Sequence, residues 1–361
     1  MEKYRVGIVG ATGMVGQRFI SLLKDHPWFE VNCVAASARS AGKTYREAVG
    51  ERWAFAWEIP EKVAGMTVVD AADIDEVSKH VDFVFCAVDM KKDEIRALEE
   101  AYAKHEIPVV SNNSACRGIE DVPMVVPEIN ADHLAVIEAQ KKRLGTKNGF
   151  IAVKPNCSIQ SYVPALTPLL DFEPEKVSVC TYQAISGAGK TFKTWPEMVD
   201  NVIPYIGGED EKSENEPLKL WGHVEDGKIV NATLPVISAQ CLRVACSDGH
   251  MAAVSVSFKK KLTIEQIKER WANYETEAQR LELPSAPKPF LQYFEDPSRP
   301  QTRLDRDFQN GFGVSIGRLR EDKLFDYRFV CLSHNTVRGA AGGGILTAEL
   351  LCRKGYIPHR V

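Results

Sequence analysis

The sequence predicts an α/β protein: a first half built on a parallel sheet covered by helices on both faces, and an α+β second half on a mixed sheet. Three observations carry this. Short, wholly apolar strand-like runs alternate with helix-like segments in the first third of the chain, a glycine-spaced turn joins the first run to its helix, and beyond residue 155 the runs lengthen and alternate with period two. Strands that are apolar throughout are buried on both sides, whereas alternation marks a sheet with one covered face.

In chain order, YRVGIVG (4–10) is the first strand, and ATGMVGQRFISLLKDH continues it as a helix with Val15, Phe19, Leu22 and Leu23 on one face. FEVNCVAAS (29–37) is the second strand, VDFVFCAV (81–88) another, KKDEIRALEEAYAKH an amphipathic helix, and IPVVSNN (107–113) the strand that closes the unit. Residues 44–66, rich in aromatics, interrupt the alternation as a surface insertion. The second half offers strands at 176–186, 238–246, 250–258, 312–319 and 325–333, one covering helix over 263–281, and a small-residue helix over 338–355. The charged stretch GGEDEKSENEP (207–217) is expected as a loop.

A chain of 361 residues exceeds one ordinary core, so two domains are expected. The net charge of −4, with Lys259-Lys260-Lys261 as its one dense basic run, argues against nucleic acid as the main partner. No apolar run approaches the length that spans a bilayer, and a strand opening at residue 4 leaves no room for a signal peptide. Nine cysteines without paired or metal-type spacing indicate reduced thiols, no metal site and a cytoplasmic protein.

Gly10, Gly13 and Gly16 form G-x-x-G-x-x-G between the first strand and its helix. Glycine permits the tight turn and brings backbone N–H groups against a pyrophosphate, whose charge the helix N-terminus favours. This is a Rossmann-type dinucleotide site. The end of the second strand selects the dinucleotide. A carboxylate there would repel a 2′-phosphate, but no acid occurs from Val31 to Lys43, and Ser37, Arg39, Ser40 and Lys43 stand in its place. Hydroxyls and a guanidinium suit a phosphate dianion, so NADP is expected over NAD.

VKPNCSIQ (153–160) ends an apolar run and places Asn156 and Cys157 ahead of a helix-like stripe of Ile159, Val163, Leu166, Leu169 and Leu170, which Pro168 should kink or shorten. A thiol at a helix N-terminus sits where a thiolate is favoured, and backbone N–H groups there can hold an oxyanion. Cys33, Cys86, Cys180, Cys331 and Cys352 lie in apolar elements and are packing residues. A nucleophilic cysteine needs an acid or base, usually histidine. His26, His80, His105 and His359 fall at helix ends or the terminus and are expected to face solvent; His250 follows Asp248-Gly249 at a strand edge, seven residues past Arg243.

GIVGATGMVGQ, SARSAGK, SNNSACR, PNCS, TYQAISGAGK, LRVACSDGH and HNTVRGAAGG together, in this order from Gly7 to about Leu351, resemble the aspartate-β-semialdehyde dehydrogenases, most of all the archaeal and fungal-type branch. The resemblance implies an NADP-binding domain of residues 1–154 rejoined by 338–361, and a catalytic and dimerisation domain of 155–337 in a homodimer or homotetramer. It makes Cys157 the nucleophile, His250 the acid/base and Gln183 the residue that orients substrate beside the thiol. Arg243 would grip the substrate α-carboxylate, Arg117 the phosphate, Glu209 the amino group, and Lys212 would assist phosphate, with Asn156 also at the substrate. Gly10, Thr12, Gly13, Met14, Val15 and Gly16 would contact the cofactor, as would Ser37, Arg39, Ser40, Ser186, Gly187, Ala188, Gly189 and Asn335. Arg338, where many members carry lysine, and Ala245-Cys246, where proline and valine are common, depart from the family pattern.

The activity implied is NADPH-dependent conversion of L-4-aspartyl phosphate to aspartate semialdehyde and phosphate through a Cys157 thioester, a step toward lysine, threonine and methionine. Two other readings use the same residues. A malonyl-CoA reductase would employ Cys157 and His250 with a thiol leaving group, and a non-catalytic NADP-binding sensor would have lost the cysteine, histidine or arginine, all of which are present. N-acetyl-glutamyl-phosphate reductase, a relative, carries a glycine-cysteine-tyrosine motif that is absent.

Overall fold

The computed structural model describes residues 2–359. The N-terminal sheet consists of β1 (Tyr4–Val9), β2 (Phe29–Ala36), β3 (Val69–Asp70), β4 (Phe83–Cys86), β5 (Val109–Ser111) and β6 (Ile151–Val153), in the order β3-β2-β1-β4-β5-β6. Every pairing is parallel. Strand order reverses between β1 and β4, and in such sheets ligands sit in the crevice at the carboxyl ends of those strands. Helix α1 (Met14–Leu23) and α2 (Lys92–Lys104) cover the sheet. Phe19 of α1 stacks on Phe85 of β4 with ring centroids 4.4 Å apart.

The second sheet comprises β7 (Pro174–Gln183), β8 (Val202–Ile203), β11 (Val236–Val244), β12 (His250–Phe258), β13 (Leu291–Phe294), β14 (Val314–Glu321) and β15 (Tyr327–Ser333), in the order β13-β14-β15-β12-β7-β11-β8; β9 (His223–Glu225) and β10 (Lys228–Val230) form a separate hairpin. It is mixed, since β11 runs parallel to β7 and β13 to β14 while the other pairs are antiparallel. β12 alternates buried and half-buried residues without a break, the one-covered-face pattern expected. Side chains of both sheets, among them Val153, Val177 and Val254, share one apolar cluster with Ile159 of the turn after Cys157.

The strands of the sequence reading are present within about three residues, with β3, β6, β8, β9, β10 and β13 in addition. Several helices differ. The stretch 263–281 is broken at Asn273 into α4 (Ile264–Ala272) and Glu277–Arg280, the latter opened by a capping box of Thr276 with Gln279. The stripe after Cys157 is not a helix from its start. Residues 157–162 form successive turns, a single α-turn spans Val163–Leu166, and Thr167–Phe172 is 3-10. Pro164 and Pro168 cannot donate N–H groups into a continuous α ladder.

The stretch 207–217 is helical rather than a loop: α3 runs Glu209–Leu220 and begins after Gly208 at φ 71°. Three acids in its first turn favour the positive end of the helix. Asp210 and Glu214 of α3 accept the Cys241 and Ala239 backbone N–H groups of β11 at 2.8 and 3.0 Å. The expected helix at 338–355 starts as a π turn, Val337–Ala341, before α5 (Gly342–Arg353). α5 packs on the N-terminal sheet, where a Cβ on Gly344 would lie 2.9 Å from Phe19. Arg338 donates to Glu128 Oε1 at 2.8 Å and to the Phe312 carbonyl, a buried pair that anchors this turn. The insertion 44–66 is only partly superficial, since Tyr45, Val49, Ile59 and Val63 are buried. The expected segments 1–154 and 338–361 of the NADP-binding domain include positions 1, 360 and 361, which lie outside the described residues.

Candidate active site

Cys157 leaves β6 through Lys154-Pro155-Asn156 and meets His250, the first residue of β12, with Sγ 3.4 Å from Nε2. His250 is fully buried, and its Nδ1 accepts the Ala184 backbone N–H at 3.0 Å. Sheet register explains the convergence. Arg243 of β11 pairs with Gln183 at the end of β7, and β12 pairs with β7 on its other side. Three consecutive neighbours in the sheet thus present arginine, glutamine and histidine at one end. Arg243 donates to the Ala184 carbonyl at 2.7 Å, and a Cβ on Gly187 would lie 2.9 Å from its Nη1 and 3.0 Å from the His250 ring. The turn 185–188 therefore closes over the arginine and the imidazole.

Helix α3 supplies the other wall. Glu209 accepts hydrogen bonds from Asn156 Nδ2 at 2.9 Å, Gln183 Nε2 at 3.1 Å and Lys212 Nζ at 2.8 Å. Arg117 donates to Glu216 Oε1 at 2.9 Å, and Glu216 Oε2 takes the Asn156 backbone N–H at 2.6 Å. The expected substrate residues are thus brought into one hydrogen-bonded set around Asn156 and Cys157. Glu216 and Lys219 lack any counterpart in the sequence reading. Lys219 donates to the carbonyls of Arg117, Ile119 and Val122, fixing the Arg117 loop on α3. The spacing 209, 212, 216, 219 in the acidic run is a helix face, which was the available signal.

Electrostatics follow from burial. The Cys157 thiol is pushed up by burial and by Glu209, against Lys154, Arg243 and Arg117. His250 is pushed well down by burial and the Arg243 charge. Burial raises Glu209, but the Lys212 charge and hydrogen bonds from Lys212, Gln183 and Asn156 outweigh it and hold the carboxyl below its usual range. Lys154, 2% exposed, is lowered to about 7 by burial and by Arg117. Both shifts favour the uncharged form, of the thiol and of the imidazole.

The dinucleotide site fits the fingerprint. Gly10 has φ 90°, and a Cβ there would fall 2.3 Å from the Ala87 carbonyl oxygen; one on Gly16 would fall 2.3 Å from that of Gly10. Gly13 caps α1 without a side-chain hydrogen bond, leaving the first N–H groups open beside Thr12, Met14 and Val15. Ser37 and Arg39 are exposed and Ser40 half-buried just past the end of β2, with Lys43 exposed beyond. Met14 and Arg18 line one cleft with Ile185, Ser186 and Lys190, so the fingerprint faces the 186–189 turn across it. Asn335 lies behind that turn, donating to Ser186 Oγ at 2.8 Å and accepting the Gly249 N–H at 2.8 Å. His26, expected in solvent, is instead buried, with Nε2 2.9 Å from Glu349 of α5.

Among the described residues no cluster of His, Cys, Asp or Glu could hold a metal ion, and no helix is long and apolar enough to cross a membrane. Residues 5–137 match the family model for the semialdehyde dehydrogenase NAD binding domain, and 166–338 that for the semialdehyde dehydrogenase dimerisation domain. The chain is 43% identical to the aspartate-semialdehyde dehydrogenase of Archaeoglobus fulgidus, over 98% of this chain and 100% of that protein. It is 44% identical to the Schizosaccharomyces pombe enzyme of the same name, over 98% of this chain and 99% of that one. The crystal structure of aspartate semialdehyde dehydrogenase with NADP from Candida albicans superposes with TM-score 0.89 at 38% identity, covering 99% of this chain and all of that one. Shared sequence over the full length and a shared fold lead to one conclusion: the chain belongs to the aspartate-semialdehyde dehydrogenase family.

Proposed function

We propose that this protein is an NADP-dependent aspartate-semialdehyde dehydrogenase, converting L-4-aspartyl phosphate to L-aspartate 4-semialdehyde and phosphate. The observation that carries the reading is the contact of Cys157 with His250, with Arg243, Gln183 and Glu209 gathered around it. Arg243 offers a guanidinium to the α-carboxylate, and the Glu209 carboxylate offers its charge to the amino group. Arg117, with Lys212, takes the phosphate. Cys157 attacks the acyl carbon and phosphate leaves, giving a thioester; Gln183 and Asn156 orient the acyl chain. Bound NADPH supplies the hydride that reduces this thioester. His250, carrying the proton that the thiol gave up on attack, returns it to the departing sulfur as the aldehyde forms. Covalent capture divides one difficult reduction into two easier steps.

The same reading assigns the cofactor to the 10–16 turn, with Ser37, Arg39 and Ser40 at the 2′-phosphate and Ser186, Gly187, Ala188 and Gly189 near the nicotinamide. Asn335 supports Ser186 from behind. It places the domain boundaries at 154/155 and 337/338 and the protein in the cytoplasm. Exposed Val199, Val202, Tyr205, Leu234 and Val236 support burial against a second copy in a homodimer or homotetramer. The test is phosphate-dependent NADP reduction with L-aspartate semialdehyde, compared with NAD and with CoA in place of phosphate. C157S should bind NADPH normally and lose nearly all turnover. Preference for CoA over phosphate would instead favour an acyl-CoA reductase.

A further inference from the structure

Glu216 has no task in the steps above, although it joins two of the groups they use. Its Oε1 accepts from Arg117 Nη1 at 2.9 Å, and its Oε2 accepts the Asn156 backbone N–H at 2.6 Å. The Arg117 and Glu216 side chains are only 10% and 11% exposed, so water screens the pair little. One carboxyl group therefore sets the separation between the guanidinium assigned to phosphate and the residue that precedes the nucleophile.

α3 holds each of these residues twice. Lys219 Nζ donates to the Arg117 carbonyl at 2.7 Å while Glu216 accepts from the guanidinium. Glu209 accepts from the Asn156 side-chain amide at 2.9 Å while Glu216 accepts from its backbone. The helix is itself tied to β11 through Asp210 and Glu214, so the carboxylates project from a fixed base. Arg117 Nη2 donates to the Asn112 carbonyl at 3.3 Å, which fixes the second arm of the fork, and Nε has no partner among the described residues. An arginine held this way meets an anion without first giving up its rotamer freedom.

Two roles for such a pair predict opposite signs. A carboxylate that only balances the arginine's charge competes for the guanidinium and repels an incoming dianion, so it weakens phosphate binding. A carboxylate that aims the guanidinium strengthens it. The bridge to Asn156 favours aiming, because a charge partner needs no second hydrogen bond to the nucleophile's loop.

We infer that Glu216 is a positioning residue for the phosphate half of the reaction: it aims Arg117 at the phosphate of the acyl group bound over Cys157. It acts through the arginine and does not touch substrate itself. This rests on Arg117 being the phosphate site.

The test is steady-state NADP reduction from L-aspartate semialdehyde and phosphate. In E216Q the amide oxygen can accept from one of the two donors, and the NH2 group faces the other. The KM for phosphate should rise about tenfold or more, with the KM values for semialdehyde and NADP within about twofold of wild type. E216D keeps the charge but is one methylene too short to span both donors; its phosphate KM should rise as well, and it decides the matter if E216Q does not fold. In R117A/E216Q the phosphate KM should match that of R117A, because the glutamate works through the arginine. A phosphate KM unchanged or lowered in either Glu216 variant overturns the inference, as does one that rises together with the semialdehyde KM or a double variant in which the two effects add. R117A with a wild-type phosphate KM overturns the assignment of Arg117 itself, whereas a rise in R117A without one in the Glu216 variants overturns this inference alone.

Discussion

G339A tests how tightly the nucleophile is held. The added methyl would meet Cys157 Cβ at 2.9 Å, Cα at 3.3 Å and the backbone oxygen at 3.4 Å. Two of these three contacts lie inside the 3.4 Å at which ordinary contact begins, the shortest by about 0.5 Å, and two of the three partners are backbone atoms that cannot rotate away. The turn at 157–162 must therefore recede. Overpacking of this kind costs about 1–3 kcal/mol. A displacement of about 1 Å at reacting groups lowers rate by about 10²-fold, so half of that predicts a kcat loss of roughly tenfold or more. The Sγ–Nε2 contact, 3.4 Å in the native chain, would lengthen past useful hydrogen-bond range. The measurements are steady-state NADP reduction from semialdehyde and phosphate, urea unfolding, and NADPH fluorescence titration, which should be unchanged. A kcat within about twofold of wild type would refute the packing argument.

Three further outcomes follow from the same geometry. R243K keeps a charge but loses the fork and the hydrogen bond to the Ala184 carbonyl; semialdehyde KM should rise by about tenfold or more with NADP KM unchanged, and equal shifts in both would contradict it. R39A should raise the KM for NADPH several-fold while leaving that for NADH alone, since only the 2′-phosphate distinguishes them; loss against both cofactors would remove Arg39 from the phosphate site. Lys154, lowered to about 7 from an ordinary 10.5, binds fewer protons folded than unfolded between those values, so wild-type stability should rise with pH across that window and be lowest below it. K154M, without that buried amine, should melt higher than wild type near neutral pH, and the gap should close as pH rises toward 10; a gap independent of pH would be the contrary result.

Much of the site was legible because its residues sit at element ends that composition marks. Gly10, Gly13 and Gly16 announce a turn, Pro155-Asn156-Cys157 ends a strand, and Gly249-His250 begins one. α3 was not, because its charged face turns inward. A periodicity argument that expects apolar residues on the buried side assigns Glu209, Lys212, Glu216 and Lys219 to solvent, yet these side chains satisfy one another, Asn156 and Arg117. Lys154 escaped notice for a related reason, being a lone charge at the end of an apolar strand. His26 was misjudged because its partner, Glu349, lies 323 residues away. The helix after Cys157 was overextended although Pro164 and Pro168 were in view. Two prolines within six residues left one α-turn, so the thiol stands ahead of turns instead of at the start of a full helix.

The carboxylates of Asp210 and Glu214 occupy the outward N–H groups of β11 at Cys241 and Ala239, and β8 covers the strand's far end at Arg243 and Val244. At those positions the strand's outer edge is closed to a foreign strand. Sheet-to-sheet addition of a second copy across Ala239 to Val244 would first have to pull these carboxylates and β8 away.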